Sequence, residues 1–319
     1  MGSSPIPGTT QQTKRQSLNF WGFFAEELKI STNNTFSRRR MKMGKKDSYR
    51  QPLKTLFDRY LQTGNTEDIK TYLAANSNLP GPRGNLELAY AFADTAEEHS
   101  AENAPAVWKL ALELAAVPAD EAPVNDPKEF LPFCGVVSAG AVASVCPALR
   151  TETFSCLRRM ATDSRWRTRE GVAMGIQRLV PSMGQEALDV LGGWVNDENW
   201  LVMRAVAAGV AEPALLKAAE TAREALGLHK KIFTQLLGAK ERTSVEFRTL
   251  RQALGYSLSV VVCYAPSEGF AYMQELVAST DADVLWVVKE NLKKNRLIKN
   301  FPVEVAAVQK LLLDSAVGT

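Results

Sequence analysis

The chain has 319 residues, 45% of them hydrophobic, which is enough to bury a substantial core. Its 38 basic and 35 acidic side chains leave a net charge of only +3, arguing against a surface built throughout for nucleic acid, where neutralising phosphates supplies most of the affinity. No uninterrupted apolar run reaches a membrane span and the N-terminus lacks the ordered regions of a secretory signal; Cys134, Cys146, Cys156 and Cys263 form no CxxC pair, so reduced thiols in the cytoplasm are expected rather than a zinc site or disulfide framework.

The charge is unevenly spread. Residues 1–46 carry nine Lys or Arg against Glu26 and Glu27, a net of +7, which leaves 29 basic and 33 acidic groups, a net of −4, in residues 47–319. This leading stretch has one aromatic patch, Phe20-Trp21-Gly22-Phe23-Phe24, and one basic knot, Arg38-Arg39-Arg40-Met41-Lys42. It reads either as a disordered basic extension or as sequence upstream of a start at Met41 or Met43 rather than Met1. An interfacial helix over Phe20–Ile30 is disfavoured by Glu26 and Glu27, which leaves a membrane-peripheral adaptor using residues 18–46 as a third, weaker reading.

From residue 52 onward the pattern is helical. Pro52 opens a helix in which Leu53, Leu56, Phe57, Tyr60 and Leu61 form one apolar stripe. Gly64-Asn65 stops it, and Thr66-Glu67-Asp68 starts another carrying Ile69, Tyr72 and Leu73. Leu79-Pro80-Gly81-Pro82-Arg83-Gly84 then breaks regular structure, either as a packed connector or as a loop that docks a partner through Arg83 and Asn85. Asn85 is placed to cap the next helix, over Leu86–Phe92, with Glu87 near its positive end. Further helices are expected at 104–117, 128–146, 151–162, 166–180, 184–195, 199–210, 213–237, 245–264, 267–279, 283–298 and 302–314. No stretch alternates with period two, so no strand is needed.

Within this run a cassette recurs: an acid, an aromatic three residues on, and a base in the next turn. It reads Asp163-Ser164-Arg165-Trp166 with Arg169, Asp197-Glu198-Asn199-Trp200 with Arg204, and Asp283-Val284-Leu285-Trp286 with Lys289. A degenerate copy has Phe247 followed by Arg251. The aromatic anchors lie 34, 47 and 39 residues apart, the repeat length of stacked helical hairpins. Nine residues before each Trp sits an apolar side chain of the preceding helix (Leu157, Leu191, Val277), and six after it Val172, Val206 or Leu292. Each hairpin therefore carries apolar stripes on both helices and must stack on its neighbours.

At these residues the cassette resembles a HEAT-type repeat. The resemblance implies an all-α fold, a right-handed α–α superhelix of HEAT/ARM-like hairpins over 47–319 with a less regular helical cap at 47–125. Within that superfamily, Asp197-Glu198-Asn199-Trp200-Leu201 with Arg204, and Trp286-Val287-Val288-Lys289, are similar to the HEAT-like alkylpurine DNA glycosylases. That implies duplex DNA held in a basic concave groove, with Trp200, Arg204, Trp286 and Lys289 as groove candidates. The chain departs from the family at the catalytic aspartate. The corresponding helices read Phe133-Cys134-Gly135-Val136-Val137-Ser138-Ala139-Gly140 and Ser155-Cys156-Leu157-Arg158-Arg159, with no Trp and no acid beside it.

The Trp side chains can stack on bases or seal the joints between hairpins, and their repetition favours sealing. Two cationic clusters, Arg158–Arg178 and Lys289–Lys299, read as solvated faces or as an anion groove. His99 and His229 fall in polar helix ends with no partner Ser, Cys or Asp at suggestive spacing, and no Gly-rich phosphate loop occurs, so no catalytic residue, metal or cofactor is expected. The sequence predicts a non-catalytic scaffold presenting Trp166, Arg169, Trp200, Arg204, Arg251, Trp286, Lys289 and Lys293 to a protein or anionic partner. A DNA-binding protein of the alkylation-repair type is the alternative.

Overall fold

A computed structural model describes the backbone of residues 45–317 and the side chains of 46–314. The readings made on the leading extension, its aromatic patch, its basic knot and its alternative start residues lie outside the described residues. The described residues form fourteen α-helices and no strand. In chain order these are α1 (Lys45–Thr63), α2 (Glu67–Ala75), α3 (Leu86–Ala115), α4 (Phe130–Val145), α5 (Arg150–Met160), α6 (Trp166–Met183) and α7 (Gln185–Trp194). They continue with α8 (Trp200–Val210), α9 (Ala219–Leu237), α10 (Val245–Val262), α11 (Pro266–Val277), α12 (Ala282–Leu292), α13 (Asn295–Asn300) and α14 (Pro302–Val317).

Several boundaries differ from the sequence reading, among them the start of the helix expected over 213–237, which comes at Ala219. Pro52 does not open α1 but lies exposed inside it. The two helices expected before residue 117 are merged as α3, bent at Asn103 (φ −130°, ψ 32°) just ahead of Pro105, the residue that explains the kink. The helix expected over 283–298 breaks after Leu292. There the buried Asn291 amide donates to Leu254 O and Val287 O and its carbonyl accepts from Ser259 N, which fixes the end of α12 on α10.

Helices α4, α6, α8, α10 and α12 pack each on the next, and α5, α7, α9 and α11 pack against this row. At the leading end α1 lies on α3 and α3 on α4. Burial follows from this placement: every residue from Phe130 to Ala143 of α4 is buried. By length and composition Pro127–Val145 is apolar enough to cross a membrane, which the sequence reading did not single out. Because 83% of that stretch is covered by other helices, its apolar circumference is accounted for by the core. The apolar interior falls into two clusters. The first runs from Leu53 past residue 125 to take in α4, Trp166 and Met174; the second continues to Leu312.

Small residues set the spacing of the row. A side chain on Gly135 would meet the backbone of Ala111 and Ala115, one on Gly140 the backbone of Gly175, and one on Gly209 the side chain of Ile176. Mid-helix glycine costs about 1 kcal/mol relative to alanine, so close helix approach must offset it here.

His229 corrects the sequence reading. It is wholly buried on α9, its Nδ1 2.8 Å from Ala225 O and its Nε2 2.8 Å from Ser257 Oγ on α10. Burial pushes its pKa down to about 4. The folded value lies below the unfolded one, so the unfolded chain binds more protons. Stability is complete above about pH 6.5 and is lost as pH falls toward 4, by roughly 3 kcal/mol in all. Urea midpoints of wild type should fall between pH 7 and 4.5 more steeply than those of His229→Gln; parallel curves would disprove the assignment.

Candidate functional site

The helix starts that carry the cassette are held by short polar contacts. Asn199 Oδ1 accepts from Leu201 N and Val202 N at the start of α8, Ser244 Oγ from Phe247 N at α10, and Asp281 Oδ1 from Asp283 N and Val284 N at α12. Each satisfies amides that a helix start leaves open. At α12 the cap is therefore Asp281, two residues ahead of the cassette acid.

None of the three cassette acids pairs its carboxylate with the base in the following turn. Asp163 accepts from Arg165 Nε at 2.9 Å and Nη2 at 2.7 Å, while Arg165, 2% exposed, also donates to Val117 O. Asp197 accepts from Arg158 Nε of α5 at 2.6 Å. Asp283 lies 2.8 Å from Arg251 Nε of α10 and 3.2 Å from Arg242 Nη1, which also reaches Asp281. Two of the three following-turn bases are spent elsewhere, and Lys289 is exposed. Arg169 Nη1 donates to the main-chain oxygens of Asp163 and Ser164. Arg204, 3% exposed, pairs with Glu170 of α6 and donates to Arg169 O at 2.9 Å.

Burial pushes the Glu170 carboxyl up, with Arg204 and Arg169 pulling it back. Burial, then the adjacent Arg204, brings Arg169 down to about 10. These dry, crowded joints make poor landing places for a ligand. A buried arginine that already holds a carboxylate has little left to offer.

The indoles occupy joints too. Trp166 is buried beneath the Arg167 guanidinium at 4.5 Å. Trp200 packs edge-on to Phe247 of α10, centroids 5.4 Å apart. Trp286 lies under Arg251 at 4.0 Å and against Gly255, again linking α12 to α10. Of the eight expected binding residues, Trp166 and Arg204 are buried, and Arg169, Trp200, Arg251 and Trp286 are half-buried. Lys289 and Lys293 are exposed, Lys293 being 2.5 Å from Glu290. The structure thus places six of the eight, buried or half-buried, in packing within and between helices, and leaves two lysines on the surface of α12 and its end.

The connector at 79–87 packs instead of projecting. Asn85 is buried and caps α3 through Leu88 N. Arg167 donates to Gly81 O and to Glu129 Oε2, each at 2.6 Å, and Asn125 N donates to the same carboxylate. Glu129 is fully buried; burial pushes its carboxyl up against the pull of Arg167. Its Oε1 and the Arg167 Nε have no hydrogen-bond partner.

Sequence reasoning missed Glu129, Glu170, Arg242 and Asn291. For Glu170 a signal existed: counted from each aromatic anchor, the fourth residue is Glu170, Arg204, Arg251 or Glu290, charged every time. Among the described residues no group of three or more His, Cys, Asp or Glu side chains converges as a metal site would require.

No protein-family model matches the chain. No curated protein matches it either. Among solved structures, an engineered protein is similar at 12% identity with a TM-score of 0.28, over 76% of this chain and 97% of that one; at that score the likeness assigns neither fold nor function.

Proposed function

We propose that the chain is a non-catalytic HEAT-type binding scaffold, a right-handed α–α superhelix that presents an extended surface to a protein partner in a reducing compartment such as the cytoplasm. The row α4–α6–α8–α10–α12 with its flanking helices supports the repeat reading. Four free cysteines suit a reducing setting. One observation carries the non-catalytic reading: every cassette aspartate already holds an arginine, so none is left to activate water or stabilise a cationic intermediate.

The competing reading is duplex DNA binding of the alkylation-repair type. A gel-shift titration of the full chain with duplex DNA at low salt, paired with an assay for release of methylated purine, separates them. The scaffold predicts neither retardation that weakens with salt nor base release. Purine release that is lost in Trp200→Ala would overturn it.

A further inference from the structure

Residues 289–299 hold five cations against Glu290 alone, a local net of +4. They span the last turn of α12, its join to α13, and α13 itself. Glu290 is taken by Lys293. Lys294 and Arg296 turn instead onto Tyr256 of α10, with the Arg296 guanidinium carbon 4.4 Å and the Lys294 Nζ 5.8 Å from the ring centroid. Among the described residues neither has a carboxylate within ion-pair distance. Tyr256 is buried and Lys294 half-buried. Burial holds the Lys294 ammonium below its ordinary range; Glu290 opposes this, while Arg296 and Lys293 add to it.

A merely solvated stripe would spread these charges into water. Here two cations share one buried ring beside a third. The ring attracts both cations, but crowding like charges costs energy, which Glu290, already held by Lys293, offsets only in part. The negative end of α12 accounts for Lys293 and Lys294; it does not account for Arg296, which lies beyond that helix on α13.

We propose that Lys293, Lys294 and Arg296 form a receptor for a carboxylate-bearing segment of a protein partner. Arg296 supplies the planar fork that fits a carboxylate, and the two lysines flank it. This rests on the scaffold reading. An acidic peptide fits better than a nucleic acid, because the cluster is too short to track a phosphate backbone and residues 47–319 carry a net of −4.

The test uses the full chain and a fluorescein-labelled oligoglutamate peptide, with anisotropy as the readout and a labelled DNA duplex in parallel. Wild type is expected to bind the peptide. Lys294→Gln and Arg296→Gln should each weaken binding roughly tenfold. Arg296→Lys should retain part of it, and Lys310→Gln, an equal charge loss at an exposed position of α14, should leave it unchanged. Without peptide, Lys294→Met should raise the melting temperature by relieving the crowding. Equal losses in Lys310→Gln and Arg296→Gln, or a lower melting temperature in Lys294→Met, would overturn the receptor and leave the scaffold reading standing. Binding of the duplex without binding of the peptide would overturn both.

Discussion

Arg167→Met is expected to destabilise the protein by about 3–5 kcal/mol, the cost of leaving a buried carboxylate without its cation. Glu129 is fully buried, and the same guanidinium holds Gly81 O, so the substitution also removes a tie to the connector before α3. The double variant Glu129→Leu/Arg167→Met should recover most of the loss, because two apolar groups need no partner. The pH dependence has a definite sign. A carboxyl whose folded pKa lies above its unfolded one contributes stability at low pH that is lost as pH rises through the folded value. Without Arg167 that folded value climbs further, so the deficit should be largest near neutrality and shrink on acidification. Urea titrations of wild type and both variants at two pH values check this. A single-variant loss below about 1 kcal/mol would show that the joint opens to water and that the pair matters little.

Gly140→Val should be the other severe substitution. An added Cβ would sit 2.7 Å from the Gly175 Cα, so α4 and α6 must separate. Backbone meets backbone there, and no side chain can swing aside. Overpacking of this kind costs about 1–3 kcal/mol and occasionally more, and the separation would also pull Val136 and Leu157 away from the glycine seam they touch. Gly227→Ala provides the contrast. Gly227 lies mid-helix in α9 with nothing near its would-be Cβ, so the alanine should stabilise by up to about 1 kcal/mol and raise the melting temperature by a few degrees. If the two glycines respond alike, close approach is not what sets the row.

Much of this fold could be read from local pattern. The Asn85 cap, the breaker at residues 79–84 and most helix positions follow from turn chemistry and three-to-four spacing, which act over a few residues. The anchor spacing picked out α6, α8, α10 and α12, which pack each on the next. Pair choice was not legible. Whether Asp283 meets Lys289 or Arg251 depends on how α10 and α12 are rotated about their axes, and no spacing within one helix records that. His229 and Ser257 likewise meet only after α9 lies on α10. The largest gap was α4: buried on all sides, it has no amphipathic contrast to mark its face or its neighbours. The candidate site suffered most, since charged residues in register look the same whether they await a ligand or one another.

Arg204 reaches back along the row to Glu170, whereas Arg251 reaches forward to Asp283. Successive helix pairs are consequently not interchangeable. Excising α7 and α8, or splicing in a second copy, would strand one ionised group inside a dry joint. Lineages carrying this chain should therefore diversify in their outer faces and connectors while keeping the number of helices in the row constant.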